Sequence, residues 1–219
     1  MKKYFRQLQQ NLLFKNFDLN SLESVLNCLA AKSNYYKKQE IILLQGGKIN
    51  FIGIVLKGKV RILKEDYEGN INLFVVLGIN DIFGESFACA DIGESPVTIE
   101  ADDDCEILFI DCKRIIKVCN NACVFHSNLI ENLLIMIAKK NIVLSEKIEA
   151  LSKRTIREKL LTFFYMQMQI THSKKFSIPY NREGLANYLC VDRSALSREL
   201  SNMRDDGIIK FKKNEIQIL

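Results

Sequence analysis

Glycine and proline are segregated along this 219-residue chain, and that segregation sets what it can fold into. Eight of the ten glycines fall between Gly46 and Gly93, whereas no glycine or proline occurs between Pro96 and Pro179. Glycine supplies turn conformations that other residues resist. The first region therefore predicts closely spaced turns, and the second leaves a long helix free to run. Among and just after the glycines lie EIILLQ (40–45), FIGIVLKGKVRILKE (51–65), INLFVVLG (71–78) and VTIEADDDCEILFID (97–111). These runs are rich in Ile, Val, Leu and Phe, alternate in KVRILK, and recur about every ten residues, which predicts a small β-sandwich or barrel. The segment before them, about 4–32, predicts short helices. The expected fold class is α+β.

In the stretch without glycine or proline, Ile130, Leu134, Ile137, Asn141, Leu144, Ile148 and Leu151 recur at alternating spacings of four and three. That is a heptad seam, and it predicts a dimerisation helix over 126–151. With Leu134 at an a position, Asn141 takes the central a. A lone Asn there favours one register and a two-stranded assembly, at some cost in stability. The competing reading has the helix packing on its own β-domain.

Charge divides the chain at a similar place. Residues 152–219 hold 13 Lys and Arg against 7 Asp and Glu, while residues 1–151 hold 18 against 19. All of the net charge of +5 thus belongs to the last third, which predicts a polyanionic partner. No apolar run reaches the ~18 residues of a membrane span, and the N-terminal MKKYFRQLQQNLLFKNF lacks the apolar core of a secretory signal. A cytoplasmic protein with no membrane partner is expected. Seven cysteines, an odd number, do not suggest a disulfide framework. With only His126 and His172 as histidines, no catalytic residue, no metal site and no enzymatic activity are expected. A thiol nucleophile with a base would have to be Cys123 with His126. Cys119, Cys123 and His126 have helical spacing and with an outside ligand would suit zinc; the other reading of these cysteines is as small buried hydrophobes.

The segment IPYNREGLANYLCVDRSALSRELSNMRDDGIIKFKKNEIQIL (178–219) is the most informative. Asn181 predicts a helix N-cap, Leu185, Ala186 and Leu189 a packed face, Cys190-Val191 a short turn, and Asp192 a second cap. On the second helix Leu196, Leu200 and Met203 fall at i, i+4 and i+7 as core, leaving Arg193, Ser194, Ser197, Arg198 and Ser201 on the opposite face. Guanidinium groups between small hydroxyl residues suit a surface that enters the DNA major groove. Gly207 predicts the helix stop. IIKF and EIQIL, joined through Lys212, Lys213 and Asn214, predict a basic two-stranded wing. The pattern predicts a winged helix-turn-helix, with double-stranded DNA as its expected partner.

GIVLKGKVRILKE, IFGES and IPYNREGLANYLCVDRSALSRELSNMRDDGIIKF together resemble the Crp/Fnr family of bacterial transcription regulators, essentially end to end. The resemblance implies a sensor domain at 1–125, a β-roll of the cyclic-nucleotide-binding jelly-roll type with N-terminal helices. The dimerisation helix follows at 126–151 and the winged helix-turn-helix at 152–219. It implies a homodimer regulating transcription at two-fold-related DNA sites, with RNA polymerase as a further partner. Arg193, Ser194, Ser197 and Arg198 match the base-reading positions, with Ser194 where many members have Glu. Asn181 and Arg182 match backbone-contact positions, and Lys212 and Lys213 at the wing tip are read the same way. Cys190 stands where the turn usually has Gly.

The corresponding ligand pocket comprises Gly84, Glu85, Ser86, Ser95, Thr98, Lys140 and Asn141. Members that bind cyclic AMP carry an Arg-Ser pair that falls here on Ser95-Pro96, and no arginine lies between Lys64 and Lys113. An anionic phosphodiester would lack its cation, so cyclic AMP is not the expected effector, and the signal stays unassigned. Oxygen sensors of the family carry an N-terminal Cys cluster, where this chain has only Cys28. Haem, held in some members, would have His126 as its conceivable axial ligand, and a metal at Cys119, Cys123 and His126 is the other cofactor left open. The alternative function is a ligand- or redox-sensing protein acting through protein partners rather than DNA.

Overall fold

The computed structural model describes residues 2–116 and 124–219, in two compact units, Met1–Ile137 and Ala138–Leu219. The first unit opens with helix α1 (Phe5–Leu8), a 3₁₀ turn at Leu12–Phe14 and helix α2 (Leu19–Cys28). Asn11 and Asp18 cap the last two, accepting from the Leu13 and Ser21 amides. Strands follow: β1 (Lys32–Tyr36), β2 (Ile41–Leu43), β3 (Phe51–Lys57), β4 (Val60–Glu65), β5 (Ile71–Leu77) and β6 (Ile82–Phe83). Helix α3 (Glu85–Cys89), β7 (Thr98–Ala101), β8 (Cys105–Asp111) and helix α4 (Cys112–Ile116) complete the series. The strands form two four-stranded antiparallel sheets, ordered β1-β8-β3-β6 and β2-β7-β4-β5.

The sheets face each other across Val55, Val60, Phe83, Val97, Ile99, Ala101, Cys105 and Ile107, all buried. Strand β3 is buried on both faces, which is why FIGIVL reads as a continuous apolar run. Gly53 faces the inter-sheet space, and a Cβ there would come within 2.2 Å of the Phe83 ring. Ile52, Ile54 and Leu56 face the other way, into a second cluster with Leu22, Val25, Leu26 and Leu29.

Helix α5 (Val124–Ser152) spans the border between the units. Its first turns present Leu129, Leu133 and Met136 to that second cluster. Asn132 is buried there and donates to the Leu13 and Lys15 carbonyls at 3.1 and 2.9 Å. The helix does pack on its own β-domain, as the competing reading had it, mainly through Leu129, Leu133 and Met136 beside the heptad seam, with Ile130 and Ile137 of the seam at the edge of that contact.

In the second unit, α6 (Ile156–Thr171) begins with a Thr155–Glu158 capping box. Strand β9 (Lys175–Ser177), α7 (Arg182–Leu189), α8 (Arg193–Asp205), β10 (Ile209–Lys212) and β11 (Glu215–Ile218) follow. β9 joins the wing as a third strand, in the order β10-β11-β9. Leu160, Phe163, Phe164, Leu185, Leu189, Leu196, Leu200 and Met203 form the core.

Candidate nucleic-acid interface

Helices α7 and α8 are set by local signals. The Asn181 side chain accepts from the Gly184 amide at 2.7 Å, and Asp192 from the Ala195 amide at 2.8 Å. Between them Cys190 holds a left-handed conformation with φ 51° and ψ 54°, the strain expected where glycine is usual. Gly207 has φ 71° beyond the end of α8, and it suits that site because a side chain resists this conformation. Leu196, Leu200 and Met203 are wholly buried, so α8 cannot roll without exposing its core face. Arg193, Ser194, Ser197 and Arg198 are consequently held outward, all four exposed. Among the described residues neither arginine is engaged in an ion pair.

Sequence reasoning missed what fixes the pose of α8. Arg157 on α6 pairs with Glu199 on α8 and, at 2.7 Å, with Asp206 just past its end. One guanidinium thus links α6 to two points a turn or more apart. No local pattern marks Arg157, because its partners lie more than forty residues away.

The wing packs beside α7. A cleft of about 710 Å³ is lined by Asn181, Arg182, Glu183, Arg193, Lys212, Lys213, Asn214 and Glu215. Lys212 and Lys213 are exposed. Arg182 is half-buried. Its guanidinium lies 4.8 Å from the centre of the Phe211 ring and donates to the Lys213 carbonyl at 3.1 Å. Its Nη1 is buried with no hydrogen-bond partner, and burial holds the guanidinium below its ordinary pKa. Arg182 therefore braces the wing against α7. The Asn181 carbonyl oxygen is likewise committed to the cap, leaving its amide NH₂ to face outward.

On α5, Leu134, Leu144 and Ile148 of the seam are 63%, 58% and 66% exposed, and Asn141 is exposed between them. Ile130 and Ile137 are partly buried against the first unit's core, and Leu151 is half-buried. Ile130 and Ile137 of the seam thus touch the roll, while Leu134, Asn141, Leu144 and Ile148 are exposed.

The residues read as a ligand pocket lie in both units. Gly84 caps α3 with φ 81°, and a Cβ there would meet the Phe51 carbonyl at 2.8 Å. Glu85 is buried and accepts from the exposed Ser86 hydroxyl at 3.1 Å. Ser95 is buried, but its hydroxyl donates to the Val97 carbonyl at 2.7 Å and accepts from the Val97 amide at 3.3 Å. Thr98 accepts from the Gln45 amide at 3.0 Å. Lys140 and Asn141 are exposed on α5 in the second unit. Arg61, on the strand paired with β7, forms an ion pair with Glu100 at 2.7 Å. Its neighbours Val60 and Ile62 face the inter-sheet core, so alternation puts Arg61 and its cross-strand partner Glu100 on the outer face. Inside the roll, Phe51, Phe83 and Phe109 pack edge to face with centroids 5.0 and 6.5 Å apart. A cyclic nucleotide, which this fold suggests, does not fit that donor set: Ser95 is spent on its own loop and the arginine faces outward.

Cys119 and Cys123 lie outside the described residues. His126 is buried, and its Nε2 is 3.2 Å from the Arg114 carbonyl. Among the described residues no three His, Cys, Asp or Glu side chains are grouped to hold a metal ion, and no helix is long and apolar enough to cross a membrane.

Comparison with known proteins agrees with this geometry. A cyclic nucleotide-binding domain model matches residues 33–122, and a Crp-like helix-turn-helix domain model matches residues 158–219. A probable transcriptional activator of Rhizobium leguminosarum bv. viciae is 22% identical over 78% of this chain and 70% of its own length. The cAMP-activated global transcriptional regulator CRP of Escherichia coli is 22% identical over 80% of this chain and 83% of its own. The solved structure of the c-di-GMP responsive global regulator CLP of Xanthomonas campestris is 14% identical, with a TM-score of 0.56 over 92% of this chain and 99% of that one. The two domain matches fall one over the roll and one over the winged helix: the chain belongs to the Crp/Fnr family of transcription regulators, with a cyclic-nucleotide-binding-type sensor domain and a Crp-like DNA-binding domain.

Proposed function

We propose that the chain works as a cytoplasmic homodimer whose two α8 helices read half-sites one helical turn apart, under a signal at the roll other than cyclic AMP. The observation that carries this reading is the two-faced α8. Its inner face is locked by Leu196, Leu200 and Met203, and its outer face offers Arg193, Ser194, Ser197 and Arg198. Arg193 and Arg198 supply the bidentate donors that discriminate guanine. Ser194, in place of Glu, relaxes the preference at its base pair, since a hydroxyl both donates and accepts. Lys212, Lys213 and the outward amide of Asn181 meet phosphates, which fix position without reading sequence. The exposed second half of the seam supports the twin helix, and two-fold symmetry then matches a palindromic site. RNA polymerase is the further partner of such a regulator when it activates.

Binding each variant to a randomised operator library at two salt concentrations tests this. Arg193→Ala and Arg198→Ala should each flatten one symmetric base-pair preference, at about 1–3 kcal/mol. Lys212→Ala and Lys213→Ala should weaken all sequences alike and lower the salt slope by about one unit per contact. Unchanged sequence preference in Arg193→Ala and Arg198→Ala would refute the assignment of α8. Calorimetric titration with cyclic AMP should give no micromolar binding; finding it would return the roll to that ligand.

A further inference from the structure

Cys89 ends α3 and Cys112 begins α4, and their sulfur atoms stand 3.2 Å apart. A disulfide bond is about 2.05 Å long, so the two atoms need to close by only about 1 Å. Their surroundings differ. Cys112 is 1% exposed, within the cluster beneath the first sheet. Cys89 is half-buried and lines an open cavity of about 280 Å³ with Ala88, Asp91, Lys113 and Ile116. A small oxidant therefore reaches Cys89 first, with Cys112 behind it.

We propose that Cys89 and Cys112 form a peroxide-oxidised dithiol pair that closes to a reversible disulfide between α3 and α4. The hydrogen bond with Cys112 holds the Cys89 thiol below its ordinary pKa, against opposing effects of burial and the Glu85 carboxylate. The same bond, with burial, pushes the Cys112 thiol up. Cys89 is thus the attacking sulfur and Cys112 the resolving one. The Cys89 thiolate attacks one oxygen of hydrogen peroxide. The O–O bond breaks, leaving a sulfenic acid and a hydroxide that leaves as water once protonated. Cys112 then attacks the Cys89 sulfur. The S–O bond breaks, and the Cys112 proton departs with the hydroxyl as a second water. Two thiols lose two electrons, and one peroxide becomes two waters. A cellular dithiol reverses the link by exchange. The surroundings of the other described cysteines differ. Cys105 is buried, with its thiol pushed up to about 11 by burial and then by Asp104, and Cys28 and Cys190 are exposed. The bond fastens the turn that begins at Gly84 to the end of β8, so it stiffens the part of the roll where this family places its ligand loop.

The test is mass mapping of the full chain after mild hydrogen peroxide, with free thiols alkylated before digestion. Trypsin with a glutamate-specific protease separates the cysteines into Ser86–Glu94, Ala101–Glu106 and Ile107–Lys113. The expected product is Ser86–Glu94 joined to Ile107–Lys113 with loss of two hydrogens, dominant over any other pairing and undone by dithiothreitol. Cys112→Ser should instead leave a Cys89 sulfenic acid that dimedone traps, and Cys89→Ser should abolish the linked peptide. The proposal fails if Cys28 and Cys190 are oxidised while Cys89 and Cys112 both remain alkylatable. It also fails if Cys89 proceeds to sulfinic acid in the wild type without linking.

Discussion

Truncating Leu144 to alanine should dissociate the proposed dimer, and the size of the effect follows from how much of the side chain the single chain leaves open. Leu144 is 58% exposed, between Asn141 and the 66% exposed Ile148 on the same face of α5. Fully burying a leucine side chain contributes about 1.5–3 kcal/mol. With a little over half of that still to be gained, each Leu144 adds about 1–2 kcal/mol to association. A two-fold interface uses the position twice, so Leu144→Ala costs about 2–4 kcal/mol per dimer, a rise in Kd of roughly 30-fold to 1,000-fold. Sedimentation velocity over a concentration series measures it directly. Ile170→Ala is the control, because Ile170 is 62% exposed on α6, away from the seam, and should leave Kd unchanged. A wild type that is monomeric at tens of micromolar, or a Leu144→Ala Kd within twofold of it, would refute the seam as the contact.

Four further outcomes are expected. Asn141→Leu should tighten the dimer while loosening its register or copy number, read by crosslinking between introduced cysteines. Cys190→Gly should raise stability by up to about 1 kcal/mol in urea melts, because Cys190 holds φ 51° where glycine is unstrained. Gly53→Ala should lower stability by about 1–3 kcal/mol, because the added Cβ meets the Phe83 ring; adding Phe83→Leu should recover part of it. Arg157→Ala should cost only about 0.5–1 kcal/mol of stability, since the guanidinium is partly exposed. It should still lower specific DNA affinity several-fold with the base preferences intact, a split that distinguishes positioning from reading.

The sequence revealed most where structure is specified by neighbours. Asn181 and Asp192 act three residues ahead on their own helices, and the buried spacing of Leu196, Leu200 and Met203 repeats within one element. Such patterns survive without knowledge of the rest of the chain, and both helices and their turn were legible. β1 was not, because KSNYY is a half-exposed edge strand with no apolar alternation. β6 has two residues, and β9 is recognisable only once β11 lies beside it. The contacts of Arg182 were not legible for a similar reason. Its position at the start of α7 suggests an open cation, and only the folded wing brings Phe211 beneath it.

The sensor's signal is obscured by the same long-range dependence. Gly53 and Phe83 are thirty residues apart, yet the glycine's missing side chain is what admits the ring between the sheets. The roll thus packs its own phenyl groups between the sheets. Ser95, the nearest match to the phosphate-binding pair, is folded back onto Val97. A ligand entering there must displace packed aromatic surface and break two hydrogen bonds before making any of its own. A bond formed between Cys89 and Cys112 demands neither, since its atoms are already adjacent and the cavity beside Cys89 is already open. On steric and hydrogen-bonding grounds, a covalent change at α3 and α4 is the less costly way to send a signal through this roll.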